Sequence, residues 1–355
     1  MDPSGLNLAI VGATGAVGRE ALAILETTGL PVARLRLFAS EMSSGTELEF
    51  RGKTWKVDVL APGCFQGVDI AVGTTSASLA RTWVPQAVNE GAVVVDNSSA
   101  FRMDPEVPLV VPEINGEEIA RYRARGVIAN PNCSTIQLVM ALNPLHQAAG
   151  VSRIVVSTYQ STSGSGQKGM DTLSREVLEL YRKGSGVQAD EPLSPEEPSP
   201  YPHQIAFNAL PHIGDFLPDG YTTEEMKMVH ESRKILNAPD LQVCVTCVRV
   251  PWFACHALSV ALETRRPLSL DQARQLLADA PGVILEDEPD RAIYPMPFMH
   301  SGSDEVFVGR LRLDPTVQHG LVMWVVADNL RKGAALNAIQ IVQALVPHLE
   351  AQGTG

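Results

Sequence analysis

Hydrophobic residues near the start of the chain come in short unbroken runs. Residues 6–11 lead straight into Gly12 and read as a strand buried on both faces. A helix follows from about 15 to 27, with Gly29 and Pro31 as its stops. Residues 35–40 read as the next strand. Runs 68–73 and 92–96 repeat the order of apolar run, turn and helix. Such alternation predicts a parallel sheet with crossover helices, a Rossmann-type α/β domain.

After Cys133 the pattern changes. Residues 134–149 read as a helix, 153–159 as a β-branched strand, and 170–183 and 222–236 as further helices, the last opening on a capping pattern. Between them, 184–202 is rich in Pro, Ser and Glu and reads as an exposed loop or lid. Strand-like runs 241–250, 258–264, 306–313 and 321–327 crowd the second half and predict a mixed or antiparallel sheet in an α+β domain. A helix over 333–349 is expected to pack back on the first domain. The expected division is 1–132 with 332–355 as the first domain, and 133–331 as the second.

Composition narrows the function. A chain of 355 residues suits two domains. Its net charge of −12 argues against a nucleic-acid binder, which needs a basic face to release counterions. It leaves room for an anionic small substrate held by a few local arginines. No run approaches the roughly 18 apolar residues of a membrane span, and the first residues do not read as a secretory signal. A reducing cytoplasm is the expected compartment. The five cysteines form no disulfide pattern. Cys244 and Cys247 have zinc-like spacing without a second ligand pair, and alternation over 243–248 reads better as a strand; no metal site is expected.

Several stretches carry chemistry. Gly12-Ala13-Thr14-Gly15-Ala16-Val17-Gly18 follows a strand and opens a helix, where a pyrophosphate can approach the backbone. At the end of the second strand, Ser40, Ser43 and Ser44 can bond a phosphate, while Glu41 would repel one. Cys133, in Asn130-Pro131-Asn132-Cys133-Ser134-Thr135, precedes a helix whose N-terminus lowers a thiol's pKa. His256, seven residues after Arg249, offers an acid/base near neutral pH. Arg249 can grip a carboxylate through two parallel bonds. Gln160 ends a strand beside the small residues Ser161-Thr162-Ser163-Gly164. Glu224 and Lys227 share a helix face. Seen singly, each has a plain reading as a packed thiol, a structural histidine or a surface ion pair.

Taken jointly, these motifs resemble the aspartate-semialdehyde dehydrogenases. The resemblance spans nearly the whole chain and includes Asp96-Asn97-Ser98-Ser99-Ala100-Phe101-Arg102, Phe207-Asn208-Ala209-Leu210-Pro211-His212 and Asp328-Asn329-Leu330-Arg331-Lys332-Gly333. It implies reversible reduction of L-4-aspartyl phosphate to L-aspartate 4-semialdehyde, feeding lysine, threonine and methionine synthesis. Cys133 would be the acyl-thioester nucleophile and His256 the acid/base. Gln160, Arg249 and Glu224 would hold the amino acid part. Arg102, Lys227 and Asn132 would bind phosphate. The residues from Thr14 to Val17, with Ser163, Gly164 and Asn329, would touch the cofactor. NADP is the expected cofactor, although Met42 stands where the family usually has an arginine for the 2′-phosphate. A homodimer or homotetramer is implied. Cys255 also departs from the family's usual Gly-His-Ser, and packing is its expected role. The nearest alternative is N-acetyl-γ-glutamyl-phosphate reductase, which uses the same thioester logic on a longer substrate. A non-catalytic nucleotide-binding relative is the alternative of another class.

Overall fold

The computed structural model describes residues 5–182, 193 and 199–351. The chain forms two compact units, one of residues 1–136, 234–237 and 333–355, the other of residues 137–233 and 238–332.

The first unit is built on a seven-stranded sheet of order β3-β4-β2-β1-β5-β6-β7. These strands are β1 (Leu6–Val11), β2 (Val32–Ala39), β3 (Glu47–Phe50), β4 (Lys53–Val59), β5 (Ile70–Gly73), β6 (Val93–Asp96) and β7 (Val127–Ala129). All neighbours run parallel except β3 and β4. The strands β1 and β5 are almost wholly buried, as parallel strands covered on both faces must be. Helices Ala16–Thr27 and Leu336–Glu350 share the core beneath the sheet, through Ala21, Leu25, Ile339 and Val342. The chain leaves β1 toward β2 on one side, and β5 lies on the other. That reversal of strand order is where α/β sheets open a crevice.

The β3–β4 hairpin was not foreseen from the pattern. Its turn, Arg51-Gly52, has positive φ at both residues, the twist a two-residue hairpin needs. The Arg51 guanidinium also donates to the carbonyls of Leu25, Thr28 and Leu30, where the first helix ends.

The second unit carries a six-stranded sheet of order β11-β12-β13-β10-β8-β9. Its strands are β8 (Val151–Gln160), β9 (Gln242–Arg249), β10 (His256–Thr264), β11 (Val283–Leu285), β12 (Val306–Asp314) and β13 (Gly320–Ala327). The pairs β8/β9 and β11/β12 are parallel and the others antiparallel, so the sheet is mixed. The expected α/β class with a second α+β domain is thus observed. Cys244 is exposed and Cys247 buried, on opposite faces of β9, so their spacing cannot converge on one metal ion. The helix Thr223–Ile235 starts with a reciprocal cap: the Glu225 amide donates to Thr222 Oγ1 at 3.3 Å, and the Thr222 amide to Glu225 Oε2 at 2.7 Å.

Most of the expected loop 184–202 lies outside the described residues. Within it, Leu193 and Tyr201 are buried in a cluster with Leu173, Leu180 and Ile205, so these two residues depart from the expected exposed loop. No helix among the described residues is long and apolar enough to cross a membrane.

Candidate active site

In the first unit the glycine loop is shaped by what a side chain would strike. Gly12 has φ 92°, and a Cβ there would lie 2.5 Å from Thr74 Oγ1. A Cβ on Gly18 would lie 2.3 Å from the Gly12 carbonyl oxygen, so the helix can sit this close to the strand only with glycine. The helix Ala16–Thr27 has no side-chain cap and no acid in its first turn. Its first amides are therefore free of the usual internal acceptor and suit an anion. A cleft of about 440 Å³ opens beside the loop, with Gly12, Thr14, Ser40, Glu41, Thr75 and Trp83 among its walls. Gly15 also lines it, while Ala16 and Val17 form the first helical turn. Ser43 reaches the loop through Thr14, whose hydroxyl is 3.3 Å away. Ser44 and Met42 are exposed, Met42 by 97%. The threonines after β5 and Trp83 were missed in the sequence. Their signal was Gly73-Thr74-Thr75 at the end of an apolar run beside the switch in strand order.

Cys133 is half-buried and is the first residue of the helix Cys133–Ala149. Asn132 caps that helix: its Oδ1 accepts from the amides of Ser134 and Thr135 at 3.0 and 3.2 Å. Charge developing on Cys133 Sγ would thus lie at the positive end of a helix. Arg102, itself buried, donates from Nε to the Asn130 carbonyl at 2.9 Å and from Nη2 to the Asn97 carbonyl at 2.6 Å. Asn130 is in turn held by Asn97 and Asn337. A fixed cation is therefore tied to the segment that carries the thiol. Burial raises the Asp96 carboxyl above its ordinary range, partly offset by Ser98 and Arg102.

In the second unit, register assembles residues far apart in sequence. Gln160 on β8 pairs with Arg249 on β9 and with His256 on β10, and His256 pairs with Ala327 on β13. Arg249, Gln160 and His256 stand in one row at the edge of the sheet, about 5 Å per strand apart. All three are buried. The Ser161 amide donates to His256 Nδ1 at 3.1 Å. The neutral ring must then carry its proton on Nε2, and that nitrogen is buried with no hydrogen-bond partner among the described residues. The Ser161 hydroxyl donates to Asn329 Oδ1 at 2.9 Å, and Asn329 Nδ2 to Ser163 Oγ at 2.9 Å. Arg249 Nη1 donates to the Ser161 carbonyl at 2.6 Å. Gly164 lies against both groups: a Cβ there would be 2.7 Å from Arg249 Nη1 and 3.4 Å from His256 Nε2. Gln160 Nε2 donates to Thr158 Oγ1 at 3.4 Å. Glu224 is buried and pairs with Lys227 at 2.9 Å.

Cys255 is buried at φ 66°, a region that non-glycine residues seldom occupy. Burial, reinforced by Asp328, pushes its thiol far above the ordinary range, so it stays protonated and serves as packing.

Burial, then Arg249, holds His256 down to about 3, against the opposing pull of Glu224 and the Cys255 backbone. It is neutral at pH 7 and a donor from Nε2. In an unfolded chain a histidine titrates near ~6.5. Between there and about 3 only the unfolded state takes up this proton, so stability falls as pH drops through that window. At pH 5 the expected loss from this group is about 2 kcal/mol. Urea denaturation at pH 7.5 and 5.0 should show the His256→Gln variant losing that much less stability than the parent. Equal losses in the two proteins would refute the assignment.

Residues 7–122 match the family described as semialdehyde dehydrogenase, NAD binding domain, and residues 142–332 the one described as semialdehyde dehydrogenase, dimerisation domain. The glycine loop and strands β2 to β6 fall in the first match, and the row Arg249, Gln160 and His256 in the second. The class is that of the two-domain semialdehyde dehydrogenases, oxidoreductases with a dinucleotide-binding part. Relatives narrow it further: the aspartate-semialdehyde dehydrogenase of Aquifex aeolicus is 50% identical over 96% of this chain and 98% of its own, and that of Bacillus subtilis is 44% identical over 96% and 97%. The crystal structure of aspartate semialdehyde dehydrogenase II from Vibrio cholerae complexed with ASA has a TM-score of 0.91 at 44% identity, covering 97% of this chain and 98% of that one. The chain belongs to the aspartate-semialdehyde dehydrogenase family.

Proposed function

We propose that the chain interconverts L-4-aspartyl phosphate and L-aspartate 4-semialdehyde through a thioester on Cys133, on the route to lysine, threonine and methionine. The supporting observation is the strand register that sets Arg249, Gln160 and the unpartnered Nε2 of His256 in one buried row. An orphaned buried donor costs about 1–3 kcal/mol and calls for a ligand oxygen.

In the reductive direction the Cys133 thiolate adds to the acyl carbon. The bond to phosphate breaks, inorganic phosphate leaves, and a thioester remains. Gly12, Thr14, Gly15 and the first helical turn, with Ser163, Gly164 and Asn329, would hold a dinucleotide, which when bound would supply the hydride that takes the thioester to the aldehyde level. His256 donates a hydrogen bond from Nε2 to the carbonyl oxygen as negative charge builds there, and collapse of that oxyanion re-forms the C=O bond, breaks the bond to sulfur, expels the Cys133 thiolate and releases the aldehyde. Arg249 binds the α-carboxylate, Glu224 the ammonium group, and Gln160 orients the chain between them. Arg102 and Lys227, with Asn132, meet the phosphate.

NADP(H) is our reading of the dinucleotide, with Ser40 and Ser43 placed near the loop to bond a 2′-phosphate. Glu41 in the same cleft and the exposed Met42 favour NAD(H), so a comparison of the two is part of the test. We assign residues 1–132 with 332–355 to the dinucleotide and 133–331 to substrate and self-association, as a homodimer or homotetramer in the cytoplasm.

The deciding assay oxidises L-aspartate 4-semialdehyde or N-acetyl-glutamate semialdehyde in phosphate with NADP or NAD. An acetylated amine carries no charge with which to meet the buried Glu224 carboxylate. We expect kcat/KM at least about 100-fold higher for the aspartyl substrate. Preference for the acetylated one would assign the chain to the rival reductase. Tight dinucleotide binding without turnover of either would make it a binding module.

A further inference from the structure

Lys234 closes the helix Thr223–Ile235, whose first turn holds Glu224, with Lys227 following. Its ammonium donates to three backbone carbonyls, those of Arg102, Asp104 and Val107, each at 2.8 Å. An ammonium group has three protons, so this one site can match all of them. The three acceptors belong to one turn, residues 102–107, which the Phe101 and Asp104 carbonyls also close through the amides of Asp104 and Val107. Arg102 begins that turn. Its carbonyl is held by Lys234, and its guanidinium by the Asn97 and Asn130 carbonyls. Backbone and head group are therefore both pinned, and the side chain between them is left little freedom. These three bonds go to main-chain carbonyls and not to the side-chain groups assigned to the chemistry. A lysine that served only solubility would keep its ammonium in water, whereas this one is partly buried and satisfied by main chain.

We infer that Lys234 is a positioning residue for phosphate: it fixes the backbone from which Arg102 reaches the leaving or attacking phosphate. The inference rests on Arg102 being the phosphate cation. Without the ammonium the turn loses three charge-assisted bonds, and the guanidinium no longer starts from a fixed point. Misplacement by about an ångström is enough to weaken a preorganised contact severely. The consequence is specific to one substrate, because neither the row around His256 nor the glycine loop hangs on this turn.

The test measures initial rates of semialdehyde oxidation while phosphate, semialdehyde and dinucleotide are varied in turn. Lys234→Met should raise KM for phosphate about tenfold, with KM for semialdehyde and Kd for the dinucleotide changed less than about twofold. Lys234→Arg, which keeps a charge and several donors, should return the phosphate KM to within about threefold of the parent. If the methionine variant does not accumulate folded, Lys234→Gln, with two N–H donors left, is read in its place. A parallel rise in all three constants, or an unchanged phosphate KM, would overturn the inference. Arg102→Lys separates the two levels of the argument. Should it raise the phosphate KM while the Lys234 variants do not, only the positioning role fails. Should it leave the phosphate KM unchanged, the assignment of Arg102 itself is lost.

Discussion

Replacing Cys133 by alanine should lower kcat for semialdehyde oxidation by at least about 10⁴-fold, the scale seen when a covalent nucleophile is removed. The dinucleotide Kd should stay within about twofold, because the glycine loop is untouched. Fold should be kept as well. The cap on the helix comes from the Asn132 side chain and the amides of residues 134 and 135, none of which the change removes. A second readout tests the thioester directly. With semialdehyde and oxidised dinucleotide but no phosphate, the parent enzyme should release a burst of about one reduced dinucleotide per active site and then stall. The acyl group then waits on sulfur for an acceptor. The variant should show no burst. Turnover within tenfold of the parent in Cys133→Ala would end the covalent mechanism, whatever the other residues do.

The sequence was most readable where a local rule decides the structure. The run 6–11 followed by glycines could hardly be anything other than a buried strand feeding a helix, and β1 and the helix Ala16–Thr27 lie where that rule puts them. The cap at Thr222 was likewise local and is present. The family resemblance, carried by motifs spread along the chain, is borne out by relatives that cover nearly all of it. The row of Arg249, Gln160 and His256 is a different matter. It depends on the register of β8 with β9 and β10, strands separated by about as many residues as a small domain holds. No spacing within either motif specifies that alignment. Only the resemblance brought the three residues together, and the register supplies the physical reason. Other features were hidden because they depend on burial. Glu176 reads as one more helix-surface acid, yet it is buried and accepts from the amides of Ile205 and Ala206. The φ of Cys255 leaves no trace in composition. The β3–β4 hairpin, in contrast, did have a signal. Leu48 and Phe50 alternate with acids, and Arg51-Gly52 sits where a tight turn is needed.

Gly164→Ala should cut kcat/KM about 100-fold while leaving the protein folded. The conflict is steric and falls on two functional groups at once. A methyl group there lies 2.7 Å from Arg249 Nη1, and 3.3 and 3.4 Å from Cε1 and Nε2 of His256. The imidazole has little room to yield. It is fully buried and held at Nδ1 by the Ser161 amide. The guanidinium can yield, since it ends a flexible side chain, but only by stretching its 2.6 Å bond to the Ser161 carbonyl. Losing one such bond costs about 1.5–3 kcal/mol at most, and water or substrate can replace part of it, so the fold survives. The substrate carboxylate, however, would meet an arginine displaced from its place in the row. The damage should therefore appear mainly as a higher KM for semialdehyde. Gly166→Ala provides the contrast two residues away. Its φ of 71° penalises any side chain, and nothing lies within 4 Å of the added Cβ. It should cost about 1 kcal/mol of stability and leave the kinetics nearly unchanged. If Gly164→Ala keeps kcat/KM within about threefold of the parent, the close approach of residue 164 to Arg249 and His256 has no bearing on catalysis. If instead both alanine variants lose stability and activity in proportion, the loop acts through folding alone.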